Sequence, residues 1–302
     1  MKVGVAGANS SLTSTTDRRL ADFVTLTKPR LNLLVLLTTL AGLYLASPNG
    51  VELALLMNTL VGTALVAGGA AALNQVWERR TDALMRRTSS RPLPGGRLGV
   101  AEGAWFGGLL SVVGFALLAI GVNLTAAAVA GATLVSYVFV YTPLKPRTSL
   151  ATLVGAIPGA LPPVIGWSAA TGRISLPALV LFGISFFWQM PHFLAIAWLF
   201  RDDYANAGIP LLPVLEPDGR RTGQQALIYT AALWPVSLLP AVVGLAGIPY
   251  ALVATVLGLL FVWLALRFAR DRSMPNARML FLFSITYLPV LLAALVADRL
   301  WI

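Results

Sequence analysis

The chain has 302 residues, of which 57% are hydrophobic and only 11% charged, with a formal net charge of +10. In soluble domains about a quarter of the residues are charged, so this composition excludes an ordinary soluble protein and indicates an integral membrane protein. The chain has no cysteine and a single histidine, His192, which excludes disulfides, cysteine–zinc sites and two-histidine metal sites. The basic residues lie in short stretches between apolar runs, so no nucleic-acid recognition module is expected.

Residues 1–30 are polar and lack the apolar core of a cleavable signal peptide, so we expect a polar cytoplasmic N-terminal segment there. One membrane domain is expected over 31–302. It contains nine apolar runs of about 20 residues, the length that crosses a hydrocarbon core of roughly 30 Å as a helix. The runs cover 31–47, 52–77, 99–121, 123–142, 150–170, 174–200, 224–247, 249–270 and 279–297. They predict an all-α, polytopic membrane helical bundle with nine transmembrane helices around a central cavity.

The basic residues predict the orientation of these helices. Of the 22 Lys and Arg residues, 20 precede the first run or follow an even-numbered run, and only Arg173 and Arg299 fall on the opposite side. Basic loops stay in the cytoplasm, so the N-terminus is expected in the cytoplasm and the C-terminus outside.

The end of the second run carries three oxygen-bearing side chains, Asn74, Glu78 and Asp82. Their i, i+4, i+8 spacing places them on one face if the helix continues, each about 6 Å further along the axis. Carboxylates at a membrane surface suit Mg²⁺, which proteins usually bind together with substrate phosphates. The alternative is a solvated helix end whose acids pair with neighbouring arginines.

Cationic side chains with the chemistry of phosphate binding follow this stripe. Arg87 and Arg91 come next in the chain, and Lys145 lies four residues after Tyr141, behind the fourth run. Arginine grips phosphate oxygens in bidentate fashion, and lysine adds a point charge. Some of these residues could serve only as topology markers, but acids and bases together at a hydrophobic membrane surface indicate a lipid with an anionic head.

His192 lies within the sixth run, among apolar residues. Ionisable side chains at membrane depth are costly and usually face a cavity, which favours a functional role, although a structural histidine is the alternative. After this run come Asp202, Asp203 and, one turn later, Asn206. Adjacent aspartates often only cap or solubilise a helix end, but two acidic sets facing one cavity could hold two divalent ions around a diphosphate.

Taken together, these residues resemble the UbiA-type intramembrane prenyltransferase family, and within it the branch that modifies haem. The similarity extends over about residues 20–295. Glu78, where the family usually has aspartate, and the segment around His192 match the haem-modifying branch. The matching motifs are Asn74-x3-Glu78-x3-Asp82, Arg87-Thr88-x2-Arg91-Pro92-Leu93, Tyr141-x3-Lys145, Trp188-Gln-Met-Pro-His192-Phe and Asp202-Asp203-Tyr204-x3-Gly208-Ile-Pro210.

The resemblance implies an enzyme of the bacterial inner (plasma) membrane that works in the biogenesis of haem-copper oxidases. It would transfer the farnesyl group of farnesyl diphosphate to a vinyl group of protohaem IX (haem B), with addition of water, giving haem O and diphosphate. Haem A synthase is the implied protein partner. Two Mg²⁺ ions bridging the diphosphate would be held by Asn74, Glu78, Asp82, Asp202 and Asp203, and these with Lys145 form the implied catalytic set. The implied substrate contacts are Arg87, Arg91, Tyr141, Lys145, His192 and Asn206.

Two alternatives stay open at this point. A prenyltransferase for an aromatic or quinone-precursor acceptor would share the acidic stripe but would leave His192 unexplained. A nine-span transporter would share the composition and topology, but a transporter needs no paired acidic loops with phosphate-binding partners. A phosphatidyl-alcohol transferase requires a denser aspartate motif that the sequence lacks.

Overall fold

A computed structural model describes residues 15–299 of the chain, and within that range it contains helices and no β-strand. The all-α fold class predicted from the sequence is therefore confirmed. The helices are α1 (Thr15–Leu26), α2 (Pro29–Leu45), α3 (Leu53–Asp82), α4 (Val100–Gly121), α5 (Leu124–Val135), a π-helical segment (Ser136–Tyr141), α6 (Thr142–Leu144), α7 (Ala151–Ala160), α8 (Pro162–Thr171), α9 (Leu176–Leu199), α10 (Arg201–Asn206), α11 (Leu212–Leu215), α12 (Arg220–Val242), α13 (Ile248–Arg270) and α14 (Met274–Arg299).

The nine apolar runs all coincide with helices. Within the described residues, eight helical stretches are long and apolar enough to cross a membrane, including Leu124–Leu144 and Ala151–Thr171, which each join adjacent segments. The remaining stretch, α2, has 17 residues. At 1.5 Å per residue such a helix is about 26 Å long, short of the roughly 30 Å hydrocarbon core. The multi-pass membrane architecture is confirmed, whereas a count of exactly nine crossings stays a prediction.

The N-terminal segment contains a helix that the sequence analysis did not predict. Of the predicted segment 1–30, residues 15–26 form α1, which buries Leu26 and packs Phe23 against Phe106 of α4 with ring centroids 5.0 Å apart. Two ion pairs connect the polar side of α1 to α4 and to the loop before it. They join Arg19 to Glu102 and Arg97 to Asp22. Residues 1–14 of that segment and residues 300–302 of the predicted membrane domain lie outside the described residues.

Small residues let the first helices of the bundle approach closely. A Cβ atom on Gly69 of α3 would lie 2.2 Å from the Ser111 hydroxyl of α4, and one on Gly166 of α8 would lie 1.8 Å from the Thr39 carbonyl of α2. Neither position has room for a methyl group. Membrane helices associate by such close backbone packing because lipid provides no hydrophobic drive. The α2, α3, α4 and α8 helices therefore form a tightly packed frame.

The segments with the predicted site residues meet at one end of this frame. Helices that cross a bundle in alternating directions return to the same end after each pair. The C-terminal ends of α3, α6 and α9 accordingly share one end of the bundle with the α1–α2 junction, as the side-chain contacts between these segments show.

Candidate active site

The oxygen-bearing stripe on α3 lies on one buried helix face. The helix continues through Asp82, five residues beyond the predicted end of the apolar run, so the condition on which the stripe depended is met. Asn74, Glu78 and Asp82 are 2%, 8% and 1% exposed. Carboxylates that are buried to this degree need paired charges or a metal ion to offset the loss of hydration.

Three cations from three different segments supply that pairing. They come from the α1–α2 junction, the end of α6 and the loop that follows α3. The contacts are Lys28 Nζ to Asn74 Oδ1 at 2.9 Å, Lys145 Nζ to Glu78 Oε1 at 3.0 Å, and Arg91 Nη1 to Asp82 Oδ2 at 2.7 Å. The alternative partners for the acids, Arg79, Arg80 and Arg86, form no ion pair with them among the described residues. The stripe is therefore a buried charge cluster and not a solvated helix end.

One carboxylate oxygen in this cluster has no partner. Oδ1 of Asp82 is buried and makes no hydrogen bond with any described residue. An unpaired buried carboxylate oxygen is costly, and it is the kind of atom that ligates a hard cation. No three acidic or histidine side chains of the described residues come close enough to form a complete metal site. The stripe thus fits a Mg²⁺ ion that takes its other ligands from substrate phosphates and water.

Lys28 belongs to the site, although its position in the sequence indicated only a role in membrane orientation. It adopts a left-handed conformation, with φ 49° and ψ 60°, which costs a non-glycine residue of order 1–3 kcal/mol. Burial and then the nearby charge of Arg91 lower the pKa of Lys28 to about 8. The strained backbone brings an ammonium group from the start of α2 to Asn74, 46 residues away in sequence.

The π-helical segment fixes the orientation of the Asn74 amide. The Thr142 hydroxyl donates its only hydrogen to the Tyr137 carbonyl at 2.8 Å, so it can only accept from Asn74 Nδ2, at 3.1 Å. The Asn74 carbonyl oxygen is thereby turned toward Lys28. The contact between Asn74 and Thr142 could not be anticipated from the sequence, because these residues are 68 positions apart.

Tyr141 and Lys145 extend the site from the same segment. The Tyr141 ring stacks on Tyr137 with centroids 5.5 Å apart, and Gly155 of α7 leaves room for it, since a Cβ there would lie 2.6 Å from the ring. Lys145 is outside the membrane-spanning helices. Burial opposes its charged form, but the neighbouring Tyr141 and Glu78 raise the pKa of Lys145 above its ordinary value. Its ammonium group therefore stays charged beside Glu78.

The second acidic set does not join the first cluster. Asp202, Asp203 and Asn206 line a shallow recess with Arg86, and the Asp202 side chain is 93% exposed. No hydrogen bond or ion pair connects these three residues to the α3 stripe within residues 15–299. The two-ion arrangement therefore stays a prediction.

Arg87 connects the loop after α3 with the second acidic segment. Its guanidinium lies 5.4 Å above the Phe200 ring and 3.5 Å from the Tyr204 hydroxyl. It forms no ion pair with an acidic side chain among the described residues. These contacts place Arg87 beside the second acidic segment, and its role as a phosphate contact stays a prediction.

His192 lies within α9, and its side chain contacts α14. Its ring stacks on Trp188 with centroids 5.3 Å apart and contacts Phe281 at 5.1 Å. Its Nδ1 atom lies 2.7 Å from the Ser284 hydroxyl oxygen. The histidine therefore has one polar partner, on another helix, and an otherwise aromatic surrounding.

The model of the family described as "UbiA prenyltransferase family" matches residues 35–287. This match covers most of the chain and nearly all of its membrane helices. The chain belongs to the UbiA prenyltransferase family. It is therefore a membrane prenyltransferase, as the motifs predicted.

Curated relatives show which members of the family this UbiA prenyltransferase is similar to. A protein of Solibacter usitatus named protoheme IX farnesyltransferase is 46% identical over 287 residues, covering 92% of this chain and 98% of that protein. One of Myxococcus xanthus with the same name is 45% identical over 280 residues, covering 92% and 95%. The chain is therefore similar to these relatives over nearly its whole length.

Solved structures confirm the fold of this UbiA prenyltransferase. A digeranylgeranylglyceryl phosphate synthase superposes with a TM-score of 0.80 at 16% identity, covering 94% of this chain and 100% of that one. A UbiA homologue from Archaeoglobus fulgidus bound to GPP and Mg²⁺ gives 0.65 at 16% identity, covering 93% and 98%. At such low identity these likenesses support the arrangement of helices alone.

Proposed function

We propose that this UbiA prenyltransferase transfers the farnesyl group of farnesyl diphosphate to a vinyl group of protohaem IX, with addition of water, giving haem O and diphosphate. Relatives 41–46% identical over most of the chain carry the name of this activity. The structural observation that carries the proposal is the buried α3 stripe, where Asp82 Oδ1 is unpaired amid three cations. Such a site suits a metal-bound diphosphate at the mouth of an apolar bundle.

The reaction breaks the bond between the farnesyl C1 and its bridging oxygen, and the electron pair leaves with the diphosphate. Mg²⁺, held by Asn74, Glu78 and Asp82 with Asp202 and Asp203 as the proposed second set, would neutralise the charge of the phosphates. Arg91 and Lys145 stabilise the charge that develops on the leaving group, and Arg87 contacts the phosphate oxygens. These positively charged groups are already fixed in place, so little reorganisation is needed during the reaction.

The vinyl π electrons of the haem then form a carbon–carbon bond to the farnesyl C1. The positive charge passes to the vinyl carbon next to the porphyrin ring, water adds there, and one proton is released. The apolar lining of the bundle limits earlier capture of the farnesyl cation by bulk water. Tyr141 and Asn206 are proposed to contact the diphosphate-bearing substrate, and His192 the haem.

The proposed setting of the reaction is supported by the bacterial relatives and by the distribution of basic residues along the chain. The relatives are bacterial proteins, and we propose the inner membrane as the location, with the N-terminus in the cytoplasm and the C-terminus outside. The single membrane domain is proposed to begin near residue 31. Haem A synthase, which would use haem O, is the proposed partner.

Haem extraction tests the proposed function. Cells that lack haem-modifying enzymes of their own, with and without this protein, are compared by mass spectrometry of their extracted haems. We expect a haem whose mass has increased by one farnesyl group and one hydroxyl group, because one proton of the added water is released. A prenylated aromatic acid or quinone precursor, with haem B unchanged, would favour the alternative acceptor. A purified protein that releases no diphosphate with either acceptor would favour a transporter.

Labelling of introduced cysteines tests the orientation. The chain has no cysteine, so Ser90→Cys and Pro217→Cys each create a single thiol. Both positions are exposed, in the basic segments 78–98 and 201–223 that follow the second and sixth apolar runs. Both thiols should react with an impermeant maleimide only after the membrane is opened, because these basic loops face the cytoplasm. Ser175→Cys is the control for the outer side of the membrane and should react in intact cells. It is preferred to Gly172→Cys because φ is +68° at Gly172, a conformation that cysteine rarely adopts. Labelling of the loop positions from outside would contradict the orientation.

Removal of the Thr142 hydroxyl tests the orientation of Asn74. Thr142→Val keeps the shape of the side chain but leaves the Asn74 amide without its acceptor. Loss of a partner that orients a metal ligand typically costs 10–100-fold in metal affinity. We therefore expect at least a tenfold rise in the Mg²⁺ concentration needed for farnesyl diphosphate binding, measured by calorimetry without haem. Thr142→Ser, which keeps the hydroxyl, should restore the wild-type value. Equal Mg²⁺ requirements in all three proteins would contradict this role.

A further inference from the structure

The contact between His192 and Ser284 connects α9 with α14 across 92 residues of sequence. Ser284 is fully buried, and the neighbouring residues of α14 are apolar. Its carbonyl accepts the indole N–H of Trp188 at 2.7 Å, one turn before His192 on α9. Two hydrogen bonds therefore hold the imidazole and the α14 backbone in a fixed relation.

The position of the protons in this contact follows from a second distance. The Ser284 hydroxyl oxygen lies 2.5 Å from the Phe281 carbonyl oxygen, so the hydroxyl hydrogen must lie between these two oxygens. A serine has a single hydroxyl hydrogen, and the oxygen is left as an acceptor toward His192. The imidazole must then donate its Nδ1–H to Ser284, which leaves Nε2 with the lone pair.

The Nε2 atom is free to bind a ligand. It makes no hydrogen bond with any described residue, and the His192 side chain is only partly buried. A histidine with a purely structural role in a membrane bundle would be expected to satisfy both nitrogens, because an unpaired polar atom is costly there. The link between α9 and α14 does not need the imidazole, since Trp188 already provides it.

We propose that Ser284 is a positioning residue that fixes the Nδ1–H tautomer of His192, so that Nε2 can ligate the iron of the haem substrate. The proposal rests on the proposed function for the identity of the substrate. Metal-ligating histidines commonly donate their other ring N–H to an oxygen, which sets the tautomer and the ring orientation. The aromatic rings of Trp188 and Phe281 restrict the imidazole further.

The tautomer can be measured directly, because His192 is the only histidine of the chain. Protein labelled with ¹⁵N-histidine and purified without a histidine tag gives the signals of this one imidazole. We expect a protonated Nδ1 and an unprotonated Nε2 in the haem-free wild type. Ser284→Ala should lose this preference, and Ser284→Thr, which keeps the hydroxyl, should retain it. A protonated Nε2 in the wild type, or an unchanged tautomer in Ser284→Ala, would overturn the proposal.

Haem titrations of the same proteins test whether Ser284 contributes to haem affinity. Ser185 of α9 provides the matched control, because it is also a buried serine and lies about 10 Å along the helix axis from His192. Ser185→Ala should bind haem as the wild type does. Ser284→Ala should bind it at least about tenfold more weakly, the lower end of the range for loss of a ligand's partner. Equal haem affinities in the two alanine variants would overturn the proposal.

The absorption spectrum of the bound haem distinguishes a failure of this proposal from a failure of the proposed function. A histidine-ligated spectrum in the wild type that is lost in Ser284→Ala supports the proposal, even if no farnesyl transfer is detected. Farnesyl transfer by a wild type whose haem spectrum does not depend on His192 or Ser284 overturns it and leaves the proposed function intact.

Discussion

Replacement of Asp82 by asparagine is expected to reduce farnesyl transfer at least about a hundredfold while the protein still inserts into the membrane. Asp82 is 1% exposed, its Oδ2 pairs with Arg91 at 2.7 Å, and its Oδ1 has no partner among the described residues. The amide keeps the shape of the side chain but removes the charge that both Arg91 and Mg²⁺ require. Loss of one group that stabilises transition-state charge typically costs about 10²–10³-fold in turnover. Turnover of purified protein is measured across a Mg²⁺ titration.

Asp22→Asn is the matched control for this prediction. Asp22 also pairs with an arginine, Arg97, at 3.0 Å, and it belongs to α1 and not to the stripe. The same chemical change there should leave turnover near that of the wild type, since partly exposed ion pairs contribute about 1 kcal/mol or less to stability. Near-normal turnover of Asp82→Asn at saturating Mg²⁺ would contradict the assignment of Asp82 as a metal ligand.

The acidic stripe could be predicted from sequence because its geometry is local. Asn74, Glu78 and Asp82 lie on one helix, and the i, i+4 spacing determines their common face once the helix reaches residue 82. The helical fold was predictable for a similar reason, since a hydrocarbon core requires apolar helices of a known length. The amphipathic α1 was missed because its apolar face is too short to form a run of its own.

The remaining contacts of the site depend on tertiary structure. Lys28, Thr142 and Ser284 are polar residues that no sequence pattern assigned to the site, and their partners lie 46, 68 and 92 residues away. Sequence spacing gives no information about such contacts. Lys28 is the only non-glycine residue with a positive φ among residues 15–299, and only the structure reveals that conformation.

The two acidic sets differ in burial, although both belong to the ends of even-numbered apolar runs. The two acidic sets follow even-numbered apolar runs and were expected to face one cavity. The α3 set is buried among cations, whereas Asp202 is almost fully exposed beside Arg201. A helix end that is buried by three other segments and one that lies on the surface look alike in sequence, because burial is decided by the packing of distant segments.

Replacement of His192 by alanine is expected to weaken haem binding while leaving farnesyl diphosphate binding nearly unchanged. His192 lies about ten residues before Asp202, or roughly 15 Å deeper along the helix direction, and contacts only aromatic rings and Ser284. It has no contact with the α3 stripe among the described hydrogen bonds. Loss of the ligand itself should cost more than the 10–100-fold that loss of a ligand's partner typically costs. Separate titrations with each substrate measure the two affinities.

Added imidazole provides the control for the fold of His192→Ala. A folded variant with a cavity at residue 192 should regain the histidine-type haem spectrum when imidazole occupies that space, whereas a misfolded protein should not. Leu179→Ala, a change at an exposed position of α9 about 20 Å along the helix axis from His192, should keep the wild-type haem affinity. Unchanged affinities and turnover in His192→Ala would show that the histidine is structural. A selective loss of farnesyl diphosphate affinity would show that the two substrates occupy the opposite positions, with the diphosphate near α14 and the haem beside the α3 stripe.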